Sequence, residues 1–87
     1  MRKKKVLKVK IEDIKLNYLN DIQPYQSPEQ KEEINEKVAQ LRKYGQLEPI
    51  RLNEDYTIID GHLRLFAAIK LGLKEIDATI VSSLKEI

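Results

Sequence analysis

The sequence predicts a small α+β domain, with elements in the order β–α–β–β–α–β and a mixed sheet packed by two helices. Three observations predict it. A stretch of period-two alternation opens the chain, two segments of helical spacing each run up to a glycine, and short β-rich runs stand between and after them.

Each element has a local cause. In "VLKVKIEDI" (6–14), Leu7, Val9 and Ile11 fall on one side and Lys8 and Lys10 on the other, the pattern of a half-buried strand. "KLNYLNDIQPYQ" (15–26) carries Asn, Asp and Pro and reads as an irregular connection. "SPEQ" (27–30) then offers Ser27 as an N-cap, Pro28 at the first helical position and Gln30 to complete a capping box. Ile34, Val38 and Leu41 follow at helical spacing, and Gly45 supplies a left-handed C-terminal residue, so a helix is expected over about 28–43. "EPIRLN" (48–53) and "YTIID" (56–60) form a hairpin across the "NEDY" turn. "HLRLFAAIKLG" (62–72) reads as a second helix ended by Gly72, with Phe66, Ala67, Ala68, Ile69 and Leu71 mostly in the core. "EIDATIVSS" (75–83) is the last strand.

Composition narrows the chemistry. At 87 residues a single domain over 1–87 is expected, with residues 1–5 as a flexible basic end. There is no cysteine, which removes disulfides, thiolate metal sites and cysteine nucleophiles together. A single histidine excludes a multi-histidine metal site. The apolar runs are too short to span a bilayer, and "MRKKKVLKVK" lacks the apolar core of a secretory signal, so a cytoplasmic protein without a membrane partner is expected. Sixteen basic and fourteen acidic residues leave a net charge of +2, weaker than the basic bias of a dedicated duplex-DNA binder. The four tyrosines, Tyr18, Tyr25, Tyr44 and Tyr56, read as scattered, partly buried residues rather than a base-stacking platform.

The chemistry-bearing stretch is "IIDGHLRL" (58–65). Between a strand and a helix, Gly61 and His62 fall at a helix N-terminus, where unpaired N–H groups and the helix dipole favour anions. Gly61 lets the backbone approach a ligand or take positive φ. Arg64 adds a forked cation suited to phosphate oxygens, and His62 a donor or acceptor. Asp60 can hold Mg²⁺, act as a base or cap the helix. A purely structural reading makes Asp60 the N-cap, Gly61 a turn glycine, and His62 and Arg64 surface residues of the first turn. Glu48, with Pro49 beside it, can face the same pocket; the alternative is a solvated loop glutamate.

Three stretches together resemble the ParB/sulfiredoxin superfamily, specifically its ParB N-terminal domain-like fold. "EEINEKVAQLRKYGQLEPIRL" (32–52) is similar to the family's amphipathic helix, glycine and "PI" strand start. "YTIIDGHLRLFAAIKLG" (56–72) is similar to its strand, Asp-Gly-His-x-Arg and helix signature, and "EIDATIV" (75–81) to its closing strand. The resemblance covers roughly residues 6–82. Sulfiredoxin carries its reactive cysteine at the position of His62, so this cysteine-free chain is not expected to have that activity. Chromosome-partition ParB proteins carry Gly-Glu-Arg-Arg-x-Arg; Gly61 and Arg64 match, while His62, Leu63 and Phe66 depart, which argues against a CTP-driven DNA clamp. The motif is nearest to the Asp-Gly-His-His-Arg members, including free serine kinases, from which only Leu63 departs.

That resemblance implies nucleotide phosphates at Gly61, His62, Leu63 and Arg64, with Asp60 near a metal or the reacting group. The kinases' catalytic acid near the first helix corresponds to Glu32 or Glu33, and Glu33 is carried as the candidate beside Asp60. The expected function is a domain that binds ATP or ADP with Mg²⁺, possessing at most slow ATPase or phosphotransferase activity. The alternative is a DNA-associated or protein-interaction module of the same fold without catalysis.

Overall fold

The computed structural model describes residues 5–46 and 48–81. The basic residues 2–4 and positions 82–83 of the expected last strand lie outside the described residues. Four strands, β1 (Leu7–Lys10), β2 (Ile50–Asn53), β3 (Ile58–Asp60) and β4 (Glu75–Val81), join in the order β1-β4-β2-β3. β4 pairs antiparallel with β1 (Val9 opposite Ile76) and parallel with β2 (Ile50 opposite Ala78). β2 and β3 form the antiparallel hairpin. The sheet is therefore mixed, as expected.

Alternation places Val9, Ile76, Ala78, Ile50 and Leu52 together in the buried cluster, with Leu7 packed against it. α2 (His62–Leu71) seals this cluster with Leu65 and Ala68, both fully buried. The small Ala67 and Ala68 are fully buried too, whereas Ile69 is exposed, contrary to its expected place in the core. α1 (Pro28–Tyr44) packs chiefly against α2, and Leu41 reaches the core cluster. No α1 residue is fully buried, because its apolar stripe is narrow and faces a helix rather than the sheet. Among the described residues no helix is long and apolar enough to cross a membrane.

The α1 start needs one amendment. The Ser27 hydroxyl accepts from the Gln30 N–H at 3.2 Å, as a cap should. The return bond of a capping box is not made: Gln30 Oε1 is buried without a partner. Gly45 closes the helix at φ 74°, its N–H donating to the Leu41 carbonyl at 2.9 Å.

The segment expected to be irregular is locally ordered. Tyr18–Ile22 forms a π-helical turn and Gln23–Tyr25 a 3₁₀ turn. Asn17 starts the first of these by accepting from the Leu19 and Asn20 N–H groups. Lys15 also bridges in parallel to Thr57, beside Tyr56, which takes φ 70° in the hairpin turn. The bridge from Lys15 is made to a residue some forty positions away, so local composition carries no sign of it. Tyr18 and Tyr44 are exposed rather than partly buried.

Candidate functional site

A cleft of about 370 Å³ opens at the N-terminus of α2, lined by Tyr25, Gln30, Glu33, Lys37 and residues 60–64. Lys37 and Arg64 also line a second hollow of about 230 Å³, which runs past Gly45, Gln46 and Glu48. The two adjoin at Lys37 of α1 and Arg64 in the first turn of α2.

Gly61, not Asp60, is the N-cap residue of α2. It sits at φ 95°, ψ 25°, its carbonyl accepts from the Leu65 N–H, and no side chain caps the helix. The first-turn N–H groups therefore have no side-chain acceptor and remain available to an anion. Asp60 ends β3 as an exposed residue on the cleft rim, so of the alternatives open for it the helix cap is not realised. The glycine is required for a reason inside the fold as well. A Cβ on Gly61 would lie 2.7 Å from Ile50 Cγ2 and 3.1 Å from Ile50 Cα, because the turn presses on β2.

His62 is the most constrained polar group. Its Nε2 lies 2.7 Å from Asp21 Oδ1, with both side chains nearly out of solvent. Its ring stacks on Tyr25 at 5.1 Å between centroids and 10° between planes, and Tyr25 in turn meets Phe66. The other Asp21 oxygen accepts from the Asn17 N–H at 2.7 Å. Burial pushes the Asp21 carboxyl up, but the Asn17 N–H and the His62 imidazole outweigh it and hold its pKa below the ordinary carboxylate value. Nε2 of His62 is thus taken by Asp21, and Nδ1 is the ring's remaining hydrogen-bonding atom.

Arg64 donates to Glu48 Oε1 at 2.7 Å. The carboxylate is 70% exposed and the guanidinium 28%, so this ion pair is exchangeable with solvent or a ligand. Glu48 is held near Arg64 by an unusual clamp. The Gln46 amide oxygen accepts from the Asp77 N–H at 2.7 Å, and its Nε2 donates to the Asp77 and Glu48 carbonyls at 2.9 Å. The Gln46 side chain substitutes for a strand neighbour beside β4, where β2 has not yet begun.

Of the residues singled out by sequence, Glu33, Asp60, Gly61, His62, Leu63 and Arg64 line one cleft. Glu48 lines the adjoining hollow, and Pro49 stands outside the lining of both. Glu32 is exposed on α1 and does not line either. Asp21, Tyr25, Gln30 and Lys37 were not legible as site residues. Only the "ND" before "IQPY" offered a signal, a carboxylate within a turn-forming run. Among the described residues no three carboxylates or histidines cluster as a metal site.

The ParB N-terminal domain family model matches residues 1–86. The chain belongs to the ParB N-terminal domain family. No curated protein matches it significantly. Among solved structures, sulfiredoxin from Arabidopsis thaliana is similar in fold at TM-score 0.75 and 21% identity, over 94% of this chain and 92% of that one. A Pnob8-like ParB-N domain is similar at TM-score 0.68 and 26% identity, over 97% of this chain and 32% of that one. The C-terminally truncated chromosome-partitioning protein ParB from Caulobacter crescentus, complexed with CTP-γ-S, is similar at TM-score 0.67 and 23% identity. That match covers 90% of this chain and 44% of the other, so this ParB N-terminal domain spans less than half of either ParB chain.

Proposed function

We propose that this domain binds the phosphates of a nucleoside triphosphate at the N-terminus of α2. The observation that carries the reading is the start of α2 without a side-chain cap at Gly61, opening into a cleft that also holds Lys37 and Arg64. Free N–H groups, a helix dipole and two cations form an anion site in a small volume. Supporting it, the Caulobacter crescentus ParB of the same family was solved with CTP-γ-S.

The likeness of Asp60-Gly61-His62-Leu63-Arg64 to the Asp-Gly-His-His-Arg members favours ATP or ADP with Mg²⁺ and slow ATPase or phosphotransferase activity. The donor set fits the ion: Asp60 and Glu33 supply exposed carboxylate oxygens on the cleft wall, the ligands a hard cation prefers. With only these two, phosphate oxygens and water would complete its shell. Bound Mg²⁺ would offset charge on the phosphates.

Titration with ATP, ADP and CTP, with and without Mg²⁺, tests the reading and the base preference together. Arg64→Ala is expected to weaken binding about 10- to 100-fold, the effect of losing a charge-assisted bond. Its fold should survive, since the lost ion pair is exposed. Unchanged affinity in Arg64→Ala would refute the assignment.

A second reading has its own observation. Arg64 and His62 Nε2 are already satisfied by Glu48 and Asp21. That self-pairing suits a DNA-associated or protein-interaction module of the same fold. Retention on DNA that falls steeply with salt, without nucleotide binding, would favour it.

A further inference from the structure

Asp21 and His62 meet in a way that fixes a proton. Asp21 is 6% exposed and its two oxygens have separate partners. Oδ2 accepts from the Asn17 backbone N–H at 2.7 Å, and Oδ1 faces His62 Nε2 at 2.7 Å. An ionised carboxylate only accepts, so Nε2 must carry a proton. In the neutral imidazole the other nitrogen, Nδ1, is then the basic atom. Tyr25 stacks on the ring in near-parallel geometry, and His62 is the first residue of α2. His62 lines the cleft at the place where the first-turn N–H groups are free.

We propose that Asp21 locks His62 in the Nε2–H tautomer, so that Nδ1 serves as the proton acceptor for a hydroxyl that attacks the terminal phosphate bound at the start of α2. The inference rests on the nucleotide reading above and deepens it. In the step, Nδ1 takes the proton of water or of an alcohol as its oxygen bonds to the terminal phosphorus. The bond from that phosphorus to the bridging oxygen breaks, and the electron pair leaves on the nucleoside diphosphate. The resulting imidazolium is held by the Asp21 carboxylate. Asp21 is a positioning residue; His62 touches the reacting atoms. In this step the proton acceptor is His62, while Glu33, exposed on α1, stands on the wall of the same cleft.

The geometry makes Asp21→Asn unusually informative. The Asn17 N–H can only donate, so the new amide must turn its oxygen toward Asn17. Its NH₂ then points at Nε2, which must accept. The tautomer inverts, and Nδ1 carries the proton and loses its basicity, while size and packing are kept.

Long-range ¹H–¹⁵N NMR of the single imidazole, at mildly alkaline pH, should show Nε2–H in the wild type and Nδ1–H in Asp21→Asn. Phosphate release from ATP and CTP with Mg²⁺ should fall about 100-fold or more in Asp21→Asn. Affinity for the same nucleotides by calorimetry should stay within about twofold. His62→Gln keeps a side chain of similar size and should lose turnover to the same degree, which tests the base if Asp21→Asn fails to fold. A wild-type Nδ1–H tautomer overturns the proposal. So does wild-type turnover equal to that of either variant, including no turnover in any of them, while nucleotide binding persists. Loss of nucleotide binding in the wild type itself overturns the phosphate-site reading instead.

Discussion

Replacing Gly61 with alanine separates the fold's need for glycine from a ligand's need. The backbone at Gly61 is left-handed, φ 95° and ψ 25°. An L-side chain there costs about 1–2 kcal/mol. The new Cβ would also lie 2.7 Å from Ile50 Cγ2, 3.0 Å from its Cβ and 3.1 Å from its Cα. Ile50 is fully buried on β2, and part of the contact is with its backbone Cα, which cannot swing aside as a side-chain end can. Overpacking of this kind costs about 1–3 kcal/mol, giving a sum of roughly 2–5 kcal/mol. Total stability for a domain of this length is on the order of 4–13 kcal/mol, so the variant should lose a large share of it. Its Tm should fall by roughly 10–30 °C. Gly72→Ala is the control. Gly72 has φ 80° and ψ 21°, but nothing lies within 4 Å of its would-be Cβ. It should lose only the backbone portion, about 1–2 kcal/mol. Urea unfolding of the two variants reads the difference, which is the Ile50 contact alone. Equal losses would refute the packing argument. A fully stable Gly61→Ala that no longer binds nucleotide would show that the glycine serves the ligand and not the sheet.

The remaining predictions concern the polar clamps. Gln46→Ala removes the bonds that satisfy the Asp77 N–H and carbonyl, and should cost about 1–3 kcal/mol. Amide exchange at Asp77 should quicken far more than at Val9, with a uniform change across the sheet counting against the clamp. The Asp21 carboxyl has a folded pKa below its unfolded one, so its contribution is complete above the unfolded value near 3.8 and is lost as pH falls through the folded value. Acid unfolding followed by circular dichroism should therefore lose part of its steepness below about pH 4 in Asp21→Asn. An identical acid limb would show that the carboxylate has no such role.

The helices were legible because their determinants are local. Ser27, Pro28, Gly45 and Gly72 act within a turn of where they stand, and the Ile34, Val38 and Leu41 stripe repeats within one element. Much of the candidate site was legible for the same reason, since residues 60–64 share one strand–helix junction. The capping expectations that the structure does not realise have a common source. Asp60 fits an N-cap by type and Gln30 a capping box by spacing, yet capping depends on backbone direction at the junction, and Gly61 took the cap at α2. The 15–26 connection has the composition of a loop, but its turns are held by Asn17 and by the hairpin around Thr57.

By itself, then, the sequence determined the order of the elements, where each helix begins and ends, which strand face is apolar, and the absence of thiol chemistry. Side-chain type, spacing and glycine freedom act over a few residues, and these features need nothing more. The tertiary structure alone decided who partners whom. Asp21 meets His62 across 41 positions, Gln46 meets Asp77 across 31 and Arg64 meets Glu48 across 16. Such pairs are set by how the loops return over the sheet, and a polar residue in a loop carries no periodic mark of the partner that burial will force on it.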